Sequence, residues 1–231
     1  MVKYSGWQDG KELARADLAG LLNKISPNYR DRTNLALALD ASAEPPLLWA
    51  GCGGQMVRCE DQGAKFSDPV PAGCTNTGFF WRPAADPTRR EVACRMGGGG
   101  GSKLHVLDEV TGRVRIVDGV EGSEGRNHRL GPDGAVYGQD HAFGAGGIIR
   151  YDGDGKPRPF DATLKDPHLR GRLPVGFTGT TAWERDFSVD RKGDIYVKAR
   201  GPEYHGLMTV HVYGQDGNLK RIVLQTVSDG M

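Results

Sequence analysis

One polar turn, repeated four times with apolar strands on either side, constrains this chain more than any other feature. The four copies are Cys59-Glu60-Asp61-Gln62-Gly63-Ala64, Leu107-Asp108-Glu109-Val110-Thr111-Gly112-Arg113, Tyr151-Asp152-Gly153-Asp154-Gly155-Lys156 and Tyr213-Gly214-Gln215-Asp216-Gly217-Asn218. In each, a strand ends in polar residues, a glycine takes positive φ without a Cβ clash, and a second strand runs back. The turn glycines Gly63, Gly112, Gly155 and Gly217 lie 49, 43 and 62 residues apart, bracketing the ~40 to 50 residues of a four-stranded propeller blade. A unit of this kind cannot bury its apolar face alone, so each copy must cover its neighbour.

A second hairpin precedes the first. Leu130-Gly131-Pro132-Asp133-Gly134-Ala135-Val136-Tyr137 matches Val189-Asp190-Arg191-Lys192-Gly193-Asp194-Ile195-Tyr196, and the stretch from Leu39-Asp40 to Leu48-Trp49 is a looser version. Two hairpins per unit give four antiparallel strands, so the fold class is all-β, built of β-propeller blades over residues 34–231. The blades are expected at about 34–68, 70–118, 125–161 and 185–226. Residues 1–33 form an N-terminal extension, in which Leu13, Leu18, Leu21 and Leu22 share one face of a short predicted helix over 11–22, with Pro27 beyond it. The apolar repeat positions predict a core of Leu39, Leu48, Val57, Val106, Val136, Tyr137, Ile149, Tyr151, Phe187, Ile195, Tyr196, Val212 and Tyr213. Trp49 is read as blade core too.

The run Pro132-Asp133-Gly134-Ala135-Val136-Tyr137, then Asp140, then Ile148 to Lys156 resembles one NHL repeat, and Asp190 to Val197 with Val210 to Asn218 resembles a second. The resemblance covers residues 125–225 best, 34–120 less well and 1–33 not at all. Propellers of the SMP-30 and gluconolactonase type share this blade grammar, which identifies architecture better than activity. Such propellers have six blades, and four are recognisable here, so the expected ring is incomplete. Either the N-terminal segment supplies a divergent blade, or the chain is a piece of a larger protein, or chains associate to cover open faces.

Net charge is +1, so no field of one sign recruits nucleic acid or an anionic membrane, and neither partner is expected. No apolar run reaches the ~18 residues that cross a bilayer. The opening residues, Met1 to Trp7, lack an apolar signal core, and the expectation is a mature extracytoplasmic form. Cys52, Cys59, Cys74 and Cys94 are separated by six, fourteen and nineteen residues, without the C-x-x-C pair of a zinc site. These four are disulfide candidates with three connectivities open, and free thiols are the alternative. Gly97 to Gly101 and Ser102 read as a flexible linker, engineered or natural. They are no phosphate loop, because Ser102-Lys103 lead into a strand instead of a helix.

Candidate ligand or metal residues are Asn127, Asp140, His141 and Asp190, in loops of the kind that converge at a propeller's channel mouth. In the SMP-30 type a divalent cation is held by Glu, Asn and Asp, and Asn127 and Asp190 are the nearest counterparts that the resemblance implies. The competing reading is that these are solvated loop residues and turn caps. Phe79, Phe80 and Trp81 form a candidate partner-binding patch. The functional expectation is a non-catalytic module that binds a protein, a carbohydrate or another copy of itself. Its alternatives are a metal-dependent lactonase-like hydrolase with a cation such as calcium, and a fragment or engineered propeller scaffold.

Overall fold

All four repeated turn glycines adopt left-handed φ, at 82° for Gly63, 68° for Gly112, 83° for Gly155 and 89° for Gly217. Gly134 and Gly193, at the other repeated hairpin, do the same at 74° and 77°. The turns that punctuate the sequence therefore punctuate the chain in space. The computed structural model describes residues 2–4, 10–15, 36–52, 55–71, 81–96, 103–117, 128–139, 147–174, 187–200 and 208–225.

The chain divides into two compact units, Met1–Val117 and Asp118–Met231. In the first, β3 (Ala36–Asp40), β4 (Leu47–Cys52), β5 (Gln55–Glu60) and β6 (Val70–Pro71) form one four-stranded sheet. A second contains β7 (Trp81–Ala85), β8 (Glu91–Met96), β9 (Lys103–Asp108) and β10 (Val114–Val117). The other unit holds a third sheet, β11 (His128–Leu130), β12 (Val136–Gln139), β13 (Gly147–Tyr151) and β14 (Leu173–Pro174). Its fourth sheet is β15 (Phe187–Val189), β16 (Ile195–Arg200), β17 (Met208–Tyr213) and β18 (Leu219–Gln225). Every pairing joins consecutive strands and is antiparallel, so each sheet is a meander of the propeller-blade type and the fold class is all-β.

The first unit also contains a two-stranded ribbon, β1 (Val2–Tyr4) paired with β2 (Glu12–Arg15). Part of the predicted helix is therefore strand. Lys-Glu-Leu-Ala-Arg has good helix propensity, but pairing with β1 satisfies the backbone of 12–15, and such tertiary context overrides a weak local preference. Ala14 is buried and Leu13 is 39% exposed, as alternation across a ribbon requires. The rest of that expected helix, 16–22, lies outside the described residues. Among the described residues the helical segments are short 3-10 turns at Pro132–Gly134 and Asp161–Thr163.

Both units pack by one formula. In the first, Leu47 and Trp49 of one sheet meet Val92, Cys94 and Leu107 of the next. In the second, Tyr137 and Ile148 meet Ile195, Val197 and Tyr213, joined by Phe160. Register makes these sets equivalent: Trp49 pairs with Arg58 as Tyr137 pairs with Arg150, and Val92 pairs with Leu107 as Ile195 pairs with Tyr213. A large aromatic on the second strand of the leading blade thus fills the space before two aliphatic or thiol positions of the following blade.

Four expected core residues differ. Leu39 is 57% exposed, and Leu48, Ile149 and Tyr196 are half-buried. Neighbouring residues alternate across a strand, and the seam inside each unit takes Leu47, Trp49 and Ile148 instead.

Candidate functional site

Aspartate ends or directly follows the first strand of three sheets, and in each its carboxylate shapes the hairpin. Asp40 Oδ1 accepts from the Ser42 amide at 2.7 Å and the Ser42 hydroxyl at 2.6 Å. Asp86 Oδ1 accepts from the Thr88 amide, the Thr88 hydroxyl and the Arg89 amide at 2.7, 2.8 and 3.0 Å. Asp190 Oδ1 accepts from the Lys192 and Asp194 amides at 2.8 and 2.9 Å, and its Oδ2 accepts from the Tyr196 hydroxyl at 3.2 Å. These are side-chain mimics of a backbone turn.

Asp190 is the one candidate ligand among the described residues, and both its oxygens are engaged in that hairpin. Asn127, Asp140 and His141 lie outside the described residues, as do Phe79, Phe80 and Cys74. Trp81 opens β7 with its backbone paired to Arg95, and Cys52 ends β4; their side chains are not among those described. Cys59 is a free thiol and buried, and Cys94 is buried too. Cys94 fills the apolar seam beside Trp49 and Val92, a role that a small hydrophobe meets without a bridge. Burial, then the charge of Asp61, pushes the Cys59 thiol up and away from reactivity.

A different cluster stands out, at the seam between the first two sheets. Glu109 sits in the turn after β9, and its side chain is wholly buried. Its Oε1 accepts the indole N–H of Trp49 at 2.8 Å, and its backbone amide donates to the Arg90 carbonyl at 2.8 Å. Arg90 Nε lies 3.6 Å from Oε2, too far for a hydrogen bond. Asp40, also fully buried, adds its charge to the same environment. Asp40 Oδ2 and Glu109 Oε2 are both buried without a hydrogen-bond partner.

Burial, then the Asp40 charge, pushes the Glu109 carboxyl up to about 7, against the opposing pull of the Trp49 N–H, Arg90 and Arg58. The cause is desolvation of a carboxylate beside a like charge. Arg58 itself lies over the Trp49 ring, 5.8 Å from its centroid. The cluster can hold a proton at neutral pH. Among the described residues no three His, Cys, Asp or Glu side chains are grouped to hold a metal ion.

Neither Glu109 nor Asp40 stood out in the sequence, since each looks like an ordinary turn residue. The available signal was a difference between repeats: position 109 corresponds to Gln215, and position 40 to Gly131.

No protein-family model matches the chain, and no curated protein does. Among solved structures it is similar to the tricorn protease, at 15% identity and a TM-score of 0.49, with 82% of this chain covering 16% of that one. Nidogen in its complex with laminin is 13% identical, with a TM-score of 0.44 and coverage of 80% and 78%. TolB from Acinetobacter baumannii is 12% identical, with a TM-score of 0.41 and coverage of 89% and 67%. Likenesses this distant carry no inference about activity, and the chain spans a small part of the tricorn protease.

Proposed function

We propose that this chain is a non-catalytic propeller-type module that binds a protein through the exposed apolar first strand of its first blade. One observation carries the reading. Leu37 and Leu39 on β3 are 48% and 57% exposed, whereas Leu130, the counterpart of Leu39 in the third sheet, is 2% exposed. By register, the same face of the first sheet bears Leu48, which is half-buried, and Ala50, Val57 and Cys59, which are buried, so the exposed apolar surface is confined to β3. Adjacent exposed leucines along one strand are a surface that a partner ordinarily covers. Among the described residues β3 also ends its sheet, pairing with β4 alone in the sheet order, the position from which a further strand can add.

The partner that fits is an apolar strand or sheet edge of a protein, a second copy of this chain being the simplest source. The NHL-type grammar of residues 125–225 is compatible with such a module, and an extracytoplasmic setting remains part of the proposal. Light scattering of the native particle at rising concentration tests it. The expected result is a concentration-dependent dimer or larger assembly that Leu37→Glu with Leu39→Glu converts to a folded monomer. A wild-type monomer at all concentrations, stabilised by calcium and turning over a lactone, overturns it in favour of the hydrolase.

A further inference from the structure

We infer that the Asp40–Glu109 pair is a proton-operated latch between the first two blades. The inference stands on a comparison inside the molecule. The two units use the same seam: an aromatic–arginine pair across the second and third strands, Trp49 with Arg58 and Tyr137 with Arg150, facing the following blade. The position two residues beyond the last seam residue of the following blade's third strand is Glu109 in one unit and Gln215 in the other. Both reach back to the first hairpin of their own sheet, Glu109 through its amide to the Arg90 carbonyl and Gln215 through its side-chain nitrogen to the Lys192 carbonyl at 2.8 Å each. The residue ending the leading strand is Asp40 in one unit and Gly131 in the other.

The second seam therefore closes with a neutral amide and a glycine, and packing of this kind has no need of carboxylates. The first seam keeps two of them, both buried and each with an oxygen that no donor satisfies. Two ionised carboxylates cannot share such a site without strong repulsion, so one of them keeps its proton. The groups facing Glu109 come from four elements: Asp40 at the end of β3, Trp49 on β4, Arg58 on β5 and Arg90 in the β7–β8 turn. On its own turn, Asp108 is committed elsewhere, accepting the Val110 and Thr111 amides at 2.8 and 3.0 Å. Arg90 is 43% exposed and makes no hydrogen bond to Oε2, and its pull with that of Arg58 is outweighed by burial and the Asp40 charge.

Protonated Glu109 lies beside Asp40 without a second buried negative charge and keeps the seam closed, although the Trp49 N–H and the two guanidiniums favour the ionised form. When the proton leaves, the pair repels and the turn that leads into β10 loosens. Because Glu109 is held up to about 7, this happens as pH rises through neutrality. It is independent of what, if anything, binds the face bearing Leu37 and Leu39.

The test follows the Trp49 indole N–H resonance of the full chain from about pH 5 to about pH 9, assigned by comparison with Trp49→Phe. The expected result is a titration with its midpoint near neutrality and, on the alkaline side, solvent exchange of that proton that rises more steeply than in Glu109→Gln, which shows base catalysis alone. Glu109→Gln, which copies the residue of the second unit, should hold the resonance constant through the range. Asp40→Asn should keep a titration but move its midpoint to lower pH. A wild-type resonance that stays fixed, or one that titrates unchanged in Glu109→Gln, overturns the latch, and an unmoved midpoint in Asp40→Asn overturns the pairing.

Discussion

Trp49 donates its indole N–H to the carboxylate of Glu109 across sixty positions of sequence and from one sheet to the next. Burial of that carboxyl beside Asp40, against the pull of this bond, sets the pH profile of the fold. Glu109 has a folded pKa of about 7 against an ordinary 4.5, so the native state binds more protons than the unfolded chain between those values. Stability from this group is present below about pH 4.5 and is lost as pH rises through 7, a loss approaching about 3 kcal/mol at full ionisation. Turn aspartates act oppositely: Asp108, Asp152, Asp166 and Asp216 are held below the usual range by backbone amides, so their contribution disappears in acid. Urea unfolding across pH should give a maximum near mildly acidic values and a fall toward about pH 8. A curve that climbs through neutrality contradicts this account.

Removing the donor should cost more than replacing the acceptor. Trp49→Phe leaves the Glu109 oxygen buried with nothing to satisfy it and should lower stability by about 2 to 4 kcal/mol, the sum of an orphaned polar group and lost ring area. Glu109→Gln keeps an oxygen for the indole and should be within about 1 kcal/mol of wild type at acidic pH and more stable above neutrality. Equilibrium denaturation of both variants checks the order.

Much of this architecture was legible because it is local. A glycine that must turn left-handed, as at Gly63 or Gly217, announces itself within six residues, and alternating apolar strands on either side complete the hairpin. What was not legible depends on stacking. Leu39 and Leu47 are equally apolar, and only the neighbouring sheet decides that Leu47 is inside. The strand at 12–15 needed β1 as a partner, and β14 follows a long excursion containing a 3-10 turn with no alternation to mark it. Asp40 and Glu109 meet across two blades, so neither carries a signature in its own neighbourhood.

Two turn glycines of identical appearance should differ sharply on substitution. A Cβ at Gly63 meets nothing within 4 Å, so Gly63→Ala incurs the left-handed backbone penalty of about 1 kcal/mol. At Gly217 the same atom falls 2.7 Å from the Phe160 Cβ and 3.3 Å from a Leu173 methyl. Gly217→Ala should therefore cost about 3 kcal/mol, backbone strain plus overpacking, as read from thermal unfolding.

Cys59 should resist maleimide labelling in the native protein and react once it is unfolded without reductant, and Cys94, buried beside Trp49, is read in the same two states. Failure of these two to label after unfolding would mean that they are bridged.

Asp190→Ala removes acceptors for two amides and one hydroxyl and should destabilise by about 1 to 2 kcal/mol. The effect should be equal with and without calcium in thermal unfolding. A loss confined to the calcium-containing sample would return Asp190 to a metal-binding role.

The consecutive pairing of strands also bears on how the protein is made. Each sheet closes on strands that follow one another along the chain, the first being complete once Pro71 has emerged. Loop closure between such neighbours is entropically cheap, and chains dominated by local contacts fold early. A ribosome can therefore release finished blades one after another, with a nascent chain never waiting for a distant strand, and the exposed leucines of β3 are then the surface that a growing chain shows first to chaperones.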